Sequence, residues 1–359
     1  MRSRQLPTLF VILTLILGLF CGSTARAADL VKVSTAWMDE HETFLMWYAK
    51  QKGWDKEAGL DIELGFFNSG KDIMKARETS AWAFAGVSSV AGMLGALDND
   101  ISVIAVANDA SLTNAVLVRK NSYIPDHKGE NPLYPDVMGT PVLMKGKTFV
   151  TTTMSSAHYA LGTWLEALGL KLSDVVVKDM NQSQALVAFE NNLGDGVALR
   201  SPHLYVGADQ GWVIVSSLKK CDAAAPTLLV ADSKYAEANP EVTAKFLAIY
   251  LRAVDTIQTT DPEELAADYQ RFFLQWAGKN YSKSLALYDL KSHPVFDLKD
   301  QLAMFDTSKG QSQIQAWETK IAEFFARNGL ISDDQLKKAS AGAYITDRYL
   351  KMVAESAAK

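Results

Sequence analysis

The sequence predicts an α/β chain built as two blocks, followed by a mainly helical C-terminal region. Three observations carry this. Short apolar strand-like runs alternate with helix-patterned segments, first over 30–120 and again over 147–232. The polar stretch "NSYIPDHKGENPLYPDVMGTPVLMKG" (121–146), with its Pro and Gly residues, interrupts the alternation and reads as a long loop. From Pro240 onward the pattern is helical, and the amphipathic segment "PEVTAKFLAIYLRAVDTIQ" (240–258) is the clearest case.

The elements follow in order. "LVKVSTAW" (30–37) alternates as a strand does, and "ETFLMWYAKQKG" (42–53) is a helix ending at Gly53. "LDIELGFF" (60–67) is a strand and "GKDIMKARET" (70–79) a short helix; "AWAFAGV" (81–87) is a strand and "SSVAGMLGAL" (88–97) a helix. "ISVIAVAN" (101–108) and "NAVLVRK" (114–120) are strands. In the second block a strand at 147–151 precedes a helix at 156–168, whose apolar face repeats at Ala157, Leu161, Trp164, Leu165 and Leu168. Ser155 and Ser156 stand where an N-cap belongs and Gly169 where a left-handed cap belongs. "DVVVKDM" (174–180), helix 182–192, "GVALR" (196–200), "WVIVSS" (212–217) and "PTLLVAD" (226–232) complete the block. Such alternation predicts parallel sheets.

Residues 1–27 read as a cleavable export signal: Arg2 and Arg4, an apolar run from Leu9 to Phe20, then Ala25-Arg26-Ala27. The run is short for a membrane span, and Phe20 before Cys21 argues against a lipid anchor. Removing this segment takes away three arginines and no acid, leaving 33 basic and 41 acidic residues and a net charge of −8. That balance makes nucleic acid an unsuitable partner. Cys221 is then the only thiol, which excludes an intramolecular disulfide.

Ligands of open α/β sheets bind beyond the carboxyl ends of the strands. The rule selects the connections after 37, 87, 108, 151, 180 and 200, which hold "MDEHE", "SS", "DASLT", "TTMSSAH", "NQSQ" and "RSPH". The chain also resembles a known family. The segments "YAKQKGWDKEAGLDIEL", "WAFAGVSSVAGMLGAL", "KGKTFVTTTMSSAHYALGTWLEALGLKLSDV", "DGVALRSPHLYVG" and "NPEVTAKFLAIYLRAVD" resemble, in family order, the periplasmic substrate-binding proteins of ABC importers for nitrate, sulfonates, taurine and thiamine precursors. The resemblance implies a two-lobed periplasmic binding protein of type II with a hinge between the lobes. On that fold, lobe 1 is expected over 28–115, lobe 2 over 116–224, and the return to lobe 1 with the C-terminal helices over 225–359. It also implies a monomer in the periplasm that delivers a small solute to a cognate ABC permease of the inner membrane. Two departures from the family pattern bear on the ligand: Arg200-Ser201 stands before Pro202, where an aromatic residue is common, and 121–146 is long.

The candidate ligand residues are Trp37, Glu40, His41, Glu42, Ser88, Asp109, Thr153, Ser155, Ser156, His158 and Arg200. Ser155, Ser156 and the helix amides after them suit an oxyanion, although a plain N-cap uses the same hydroxyls. His158 either touches the ligand or caps a neighbouring loop. Arg200 offers a bidentate oxyanion contact, or a salt bridge with Asp195 or Asp209. The acids Asp39, Glu40, Glu42 and Asp109 suggest a carboxylate for a ligand amine, against a solvated acidic loop. Trp37 covers the ligand or belongs to the core, and Tyr205 shapes the pocket or lies on the surface. No cofactor is expected, and no metal site either, because no Cys/His spacing supports zinc. No G-x-S-x-G or H-E-x-x-H motif is present, so a carrier is expected rather than an enzyme. The expected solute is a small zwitterionic organic acid such as taurine or an amino acid; the alternatives are a simple anion (alkanesulfonate, nitrate or carboxylate) or a sensory role.

Overall fold

The computed structural model describes residues 30–77, 82–98 and 100–358; the export signal expected over 1–27 lies outside them. Among the described residues ten strands form two sheets: β1 (Val31–Trp37), β2 (Leu60–Phe66), β3 (Phe84–Ser88), β4 (Ile101–Asp109), β5 (Asn114–Val118), β6 (Thr148–Thr151), β7 (Val176–Asp179), β8 (Gly196–Arg200), β9 (Val213–Ser217) and β10 (Pro226–Asp232). The first sheet has the order β2-β1-β3-β10-β4 and the second β7-β6-β8-β5-β9. Each sheet is the floor of one lobe.

The sheets are mixed, which corrects the expectation of parallel ones. β1 runs parallel to β2 and β3, and β6 parallel to β7 and β8, as helical crossovers require. β10 runs antiparallel to both β3 and β4, and β5 antiparallel to both β8 and β9. The exceptions are the strands that arrive from the other lobe: β5 follows β4 after only four residues, and β10 returns after β9. Neither arrives through a helix on its own sheet, so neither is bound by the parallel βαβ rule.

The stretch 121–146 is less irregular than its composition suggests. It contains a 3₁₀ turn at Ile124–Asp126 and a short helix at Pro141–Met144. Ile124, Val137 and Met144 are buried with Trp164, Leu165 and Leu168 in the core of the second lobe. The Trp164 indole N–H donates to the Met138 carbonyl over 2.9 Å, tying this cover to the helix beneath it. Cys221 is a buried thiol, 3.2 Å from the Ser216 hydroxyl.

Beyond Pro240 the helices return to the first lobe. Gln301 fixes the Leu298–Phe305 helix to β4, donating to the Val106 carbonyl at 2.5 Å and accepting from its amide at 2.9 Å. The helix Gln313–Arg327 serves both lobes. Its Ile321, Phe324 and Phe325 share one buried cluster with Val90 and Met93 of the Ser89–Asp98 helix and with Tyr159 and Ala160 of the Ser156–Ala167 helix. Phe324 lies so close to Gly162 that a Cβ there would sit 2.1 Å from the ring. No helix of the described residues is long and apolar enough to cross a membrane.

Candidate ligand-binding cleft

The cleft lies where the carboxyl ends of β1, β2, β3, β6, β7 and β8 face one another. Met38, Glu40, Asn68, Ser69, Lys71 and Ser88 line it from the first sheet; Thr153, Ser155, Ser156, Gln182 and Arg200 line it from the second. The cavity between them is narrow, about 30 Å³.

Three of the helices that begin on this cleft carry a hydroxyl cap: Gly70–Ala76, Ser89–Asp98 and Ser156–Ala167. Each begins with a hydroxyl accepting a backbone amide: Ser69 from Asp72 at 3.1 Å, Ser88 from Ala91 at 3.4 Å, and Ser155 from His158 at 3.4 Å. The remaining first-turn amides and the aligned peptide dipoles give each start a partial positive charge. The surplus hydroxyls of 151–156 divide into two groups. Thr151 donates to Ala198, Thr152 to Met180, and Ser155 to Thr152, so these three build the loop. Thr153 and Ser156 line the cleft with no side-chain hydrogen bond to the described residues.

Arg200 is committed elsewhere. Its Nη1 lies 2.6 Å from Glu40 Oε1 and 3.3 Å from Asp39 Oδ1, and it also donates to the Ser201 carbonyl at 3.1 Å. The partners are acids of the opposite lobe, not the Asp195 or Asp209 expected from neighbourhood in sequence. All three side chains are buried. Burial works to raise the Asp39 carboxyl, but the Arg200 charge, with help from His203 and Lys279, leaves it below the usual range. For Glu40 burial prevails over the Arg200 charge and Asp39 adds repulsion, so its carboxyl is raised.

Five predicted residues do not line the cleft. Trp37 is fully buried in the first core; its indole N–H donates to Thr35 at 2.6 Å and its ring stacks on Tyr250. His41 and Glu42 turn inward because the helix His41–Gln51 starts there, one residue before the 42–53 expected. His41 stacks on His293 at 4.8 Å, and its Nδ1 lies 2.9 Å from the Tyr269 hydroxyl. Asp109 closes a turn at the crossing between lobes, accepting from the Ser111 amide at 2.8 Å and hydroxyl at 3.0 Å. His158 takes the capping alternative: its Nδ1 accepts from the Met154 amide at 3.2 Å, and its ring packs on Phe325. Tyr205 is buried and donates to Asp289 at 2.7 Å, as part of a network in which Tyr269 and Tyr281 donate to the same carboxylate.

Asn68, Ser69, Lys71 and Gln182 were missed. Gln182 lay inside a selected loop; its amide bridges Thr152 at 3.0 Å and the Arg200 backbone N–H at 2.9 Å. The first three follow β2, whose carboxyl end the same strand-end rule covers; "NSGK" was the available signal. Among the described residues no three His, Cys, Asp or Glu side chains stand together as metal ligands.

Burial pushes His158 down to about 4, so the fold holds it neutral. Its folded pKa lies below the ordinary unfolded value of about 6.5, so the unfolded chain binds the extra proton as pH falls. Stability from this group is present above about pH 6.5 and is lost toward about pH 4. His158→Gln is expected to flatten that part of a urea-unfolding pH profile; an unchanged slope would remove His158 as a contributor.

Residues 29–269 match the NMT1-like family. The chain belongs to that family. This NMT1-like chain is 26% identical over 284 residues to a protein of Brachyspira hyodysenteriae named as an ABC transporter periplasmic binding protein, covering 79% of this chain and 78% of the relative. It is 24% identical over 261 residues to a Bacillus subtilis protein named as an aliphatic sulfonates-binding protein, covering 70% and 73%. Its fold matches the crystal structure of the periplasmic aliphatic sulphonate binding protein SsuA from Escherichia coli with a TM-score of 0.66 and 17% identity, over 86% of this chain and 97% of the other. The periplasmic binding protein architecture expected for this NMT1-like chain is therefore its fold.

Proposed function

We propose that this protein is the periplasmic solute-binding component of an ABC importer, without catalytic activity, and that it captures a small organic oxyanion by closing its two lobes. An alkanesulfonate is the ligand class we favour. One observation carries the reading: three capped helix starts, free hydroxyls on Thr153 and Ser156, and Lys71 converge from both sheets on a single cleft. Contacts made by both lobes to one solute favour the closed form, which is the thermodynamic basis of capture. The name of the first relative supports the importer role and the periplasm, and the name of the second supports the sulfonate class.

An amine-bearing zwitterion takes second place. Glu40 is the one carboxylate among the described residues on the cleft wall, and it is paired with Arg200. A ligand ammonium would have to compete with that guanidinium.

A thermal-shift panel separates the readings, because a ligand of the folded state raises its apparent stability. Ethanesulfonate and taurine are both expected to stabilise the purified protein, and ethylamine is not. Stabilisation by taurine or amino acids with none from ethanesulfonate would restore the zwitterion and defeat the simple anion. Lys71→Ala is expected to weaken ethanesulfonate binding roughly tenfold, about 1.4 kcal/mol. Calorimetric affinities that match the unsubstituted protein would remove Lys71 from the site.

A further inference from the structure

Glu40 shares the wall of the narrow cleft with Lys71, Ser88, Ser155 and Ser156. Its counter-charge, Arg200, is also shared with Asp39. One guanidinium thus serves two buried carboxylates. A third, Glu42, is buried on the adjoining helix turn with neither oxygen hydrogen-bonded among the described residues. Other charged and titratable groups surround this cluster: Tyr250 donates to the Glu42 carbonyl, and Tyr205, Tyr269 and Tyr281 donate to Asp289. His203, from the helix His203–Asp209, stands 4.0 Å from Asp39. Asp289, from the helix Lys283–Ser292, and His293, the residue that ends it, pair with each other at 3.2 Å. Lys279 acts on Asp39, and His41 stacks on His293. Within the cluster Arg200 is already divided between Asp39 and Glu40, so an anion placed beside Glu40 has only Lys71 of the cleft wall to face it and crowds a carboxylate whose own counter-charge is shared. Like charges crowded into one poorly hydrated site do not all stay ionised.

We propose that the cleft captures its anion together with one proton, which is carried on the Glu40 carboxyl group. This rests on the anion-binding reading above. The proton comes from solvent and forms an O–H bond on a Glu40 oxygen; no other covalent bond changes, and Arg200 keeps Asp39 as its partner. Glu40 is the acceptor because it alone of the three acids lines the cleft, and burial already favours its neutral form. The bound anion raises the Glu40 pKa, so the proton is taken up at pH values between the free and bound values. Affinity then rises as pH falls across that window, by at most about tenfold per pH unit.

The test is calorimetry with ethanesulfonate in two buffers of different ionisation enthalpy, repeated between about pH 5.5 and 9. The buffer dependence of the heat counts protons directly. The expected maximum is close to one proton per anion. In Glu40→Gln the uptake is expected to fall to zero and the affinity to become independent of pH. Binding of ethanesulfonate with no proton uptake anywhere in the range overturns this inference and leaves the anion reading intact. Full uptake persisting in Glu40→Gln overturns the assignment to Glu40. No heat from ethanesulfonate, nitrate or acetate would overturn the anion reading, and this inference with it. The count in the unsubstituted protein decides the coupling even where the variant folds poorly.

Discussion

Arg200→Ala is expected to destabilise the fold by about 3–5 kcal/mol, the range for breaking a buried ion pair from one side. The guanidinium is buried and holds two acids of the opposite lobe, with Glu40 at 2.6 Å and Asp39 at 3.3 Å. Truncation leaves both acids buried without the guanidinium they share, and the loss is mostly their uncompensated desolvation. The damage should therefore be repaired by removing the orphaned charges. Arg200→Met combined with Asp39→Asn and Glu40→Gln is expected to recover most of the loss, since neutral groups need no counter-charge there. Urea unfolding measures both variants. A cost below about 1 kcal/mol for Arg200→Ala, the value of an exposed pair, would mean that solvent reaches these charges and the pairing is incidental.

The second large effect is expected at Phe324, where alanine should cost about 3–5 kcal/mol. The ring is fully buried, meets Tyr159 edge-on at 4.9 Å and fills the space above Gly162. It belongs to the cluster that joins Gln313–Arg327 to two of the helices whose first turns line the cleft. Gly162→Ala gives the complementary experiment. Its methyl would overlap the Phe324 ring and is expected to cost about 1–3 kcal/mol through overpacking. In the Phe324→Ala background the obstacle is gone, so the same substitution should be nearly neutral. Equal costs in both backgrounds would show that Gly162 matters for a reason other than this contact. Both variants should also weaken ligand binding, because the cluster aligns the helix starts of Ser89–Asp98 and Ser156–Ala167 across the cleft.

Much of this arrangement is written locally. Strand runs such as 101–108 and the helix face of Ala157, Leu161 and Trp164 are periodic signals, and both elements form within a residue or two of their expected ends. The hydroxyl at Ser155 marks its helix start because capping is a contact between residues three apart. Strand ends lead to the cleft because parallel crossovers put the helix starts on one side of a sheet. Glu40, Ser88, Thr153, Ser155, Ser156 and Arg200 are brought together on that ground.

Direction and partnership were not legible. A sequence shows that β5 and β10 are strands, but their antiparallel insertion depends on where the chain re-enters a sheet after leaving the other lobe. Trp37 reads equally as a ligand cover or a core residue, because the aromatic side chain suits both and only packing against Tyr250 decides. Composition could mark 121–146 as a loop without showing that Ile124, Val137 and Met144 close the second core.

By itself, then, the sequence determined the periodicity, the caps and the set of loops from which a cleft can be built, because those depend on interactions among near neighbours. Only the tertiary structure decided that Arg200 is answered by Asp39 and Glu40, 161 and 160 residues away along the chain. A charge takes whichever partner the fold brings within a few ångströms, and Coulomb attraction depends on that distance and the local dielectric, not on separation along the chain.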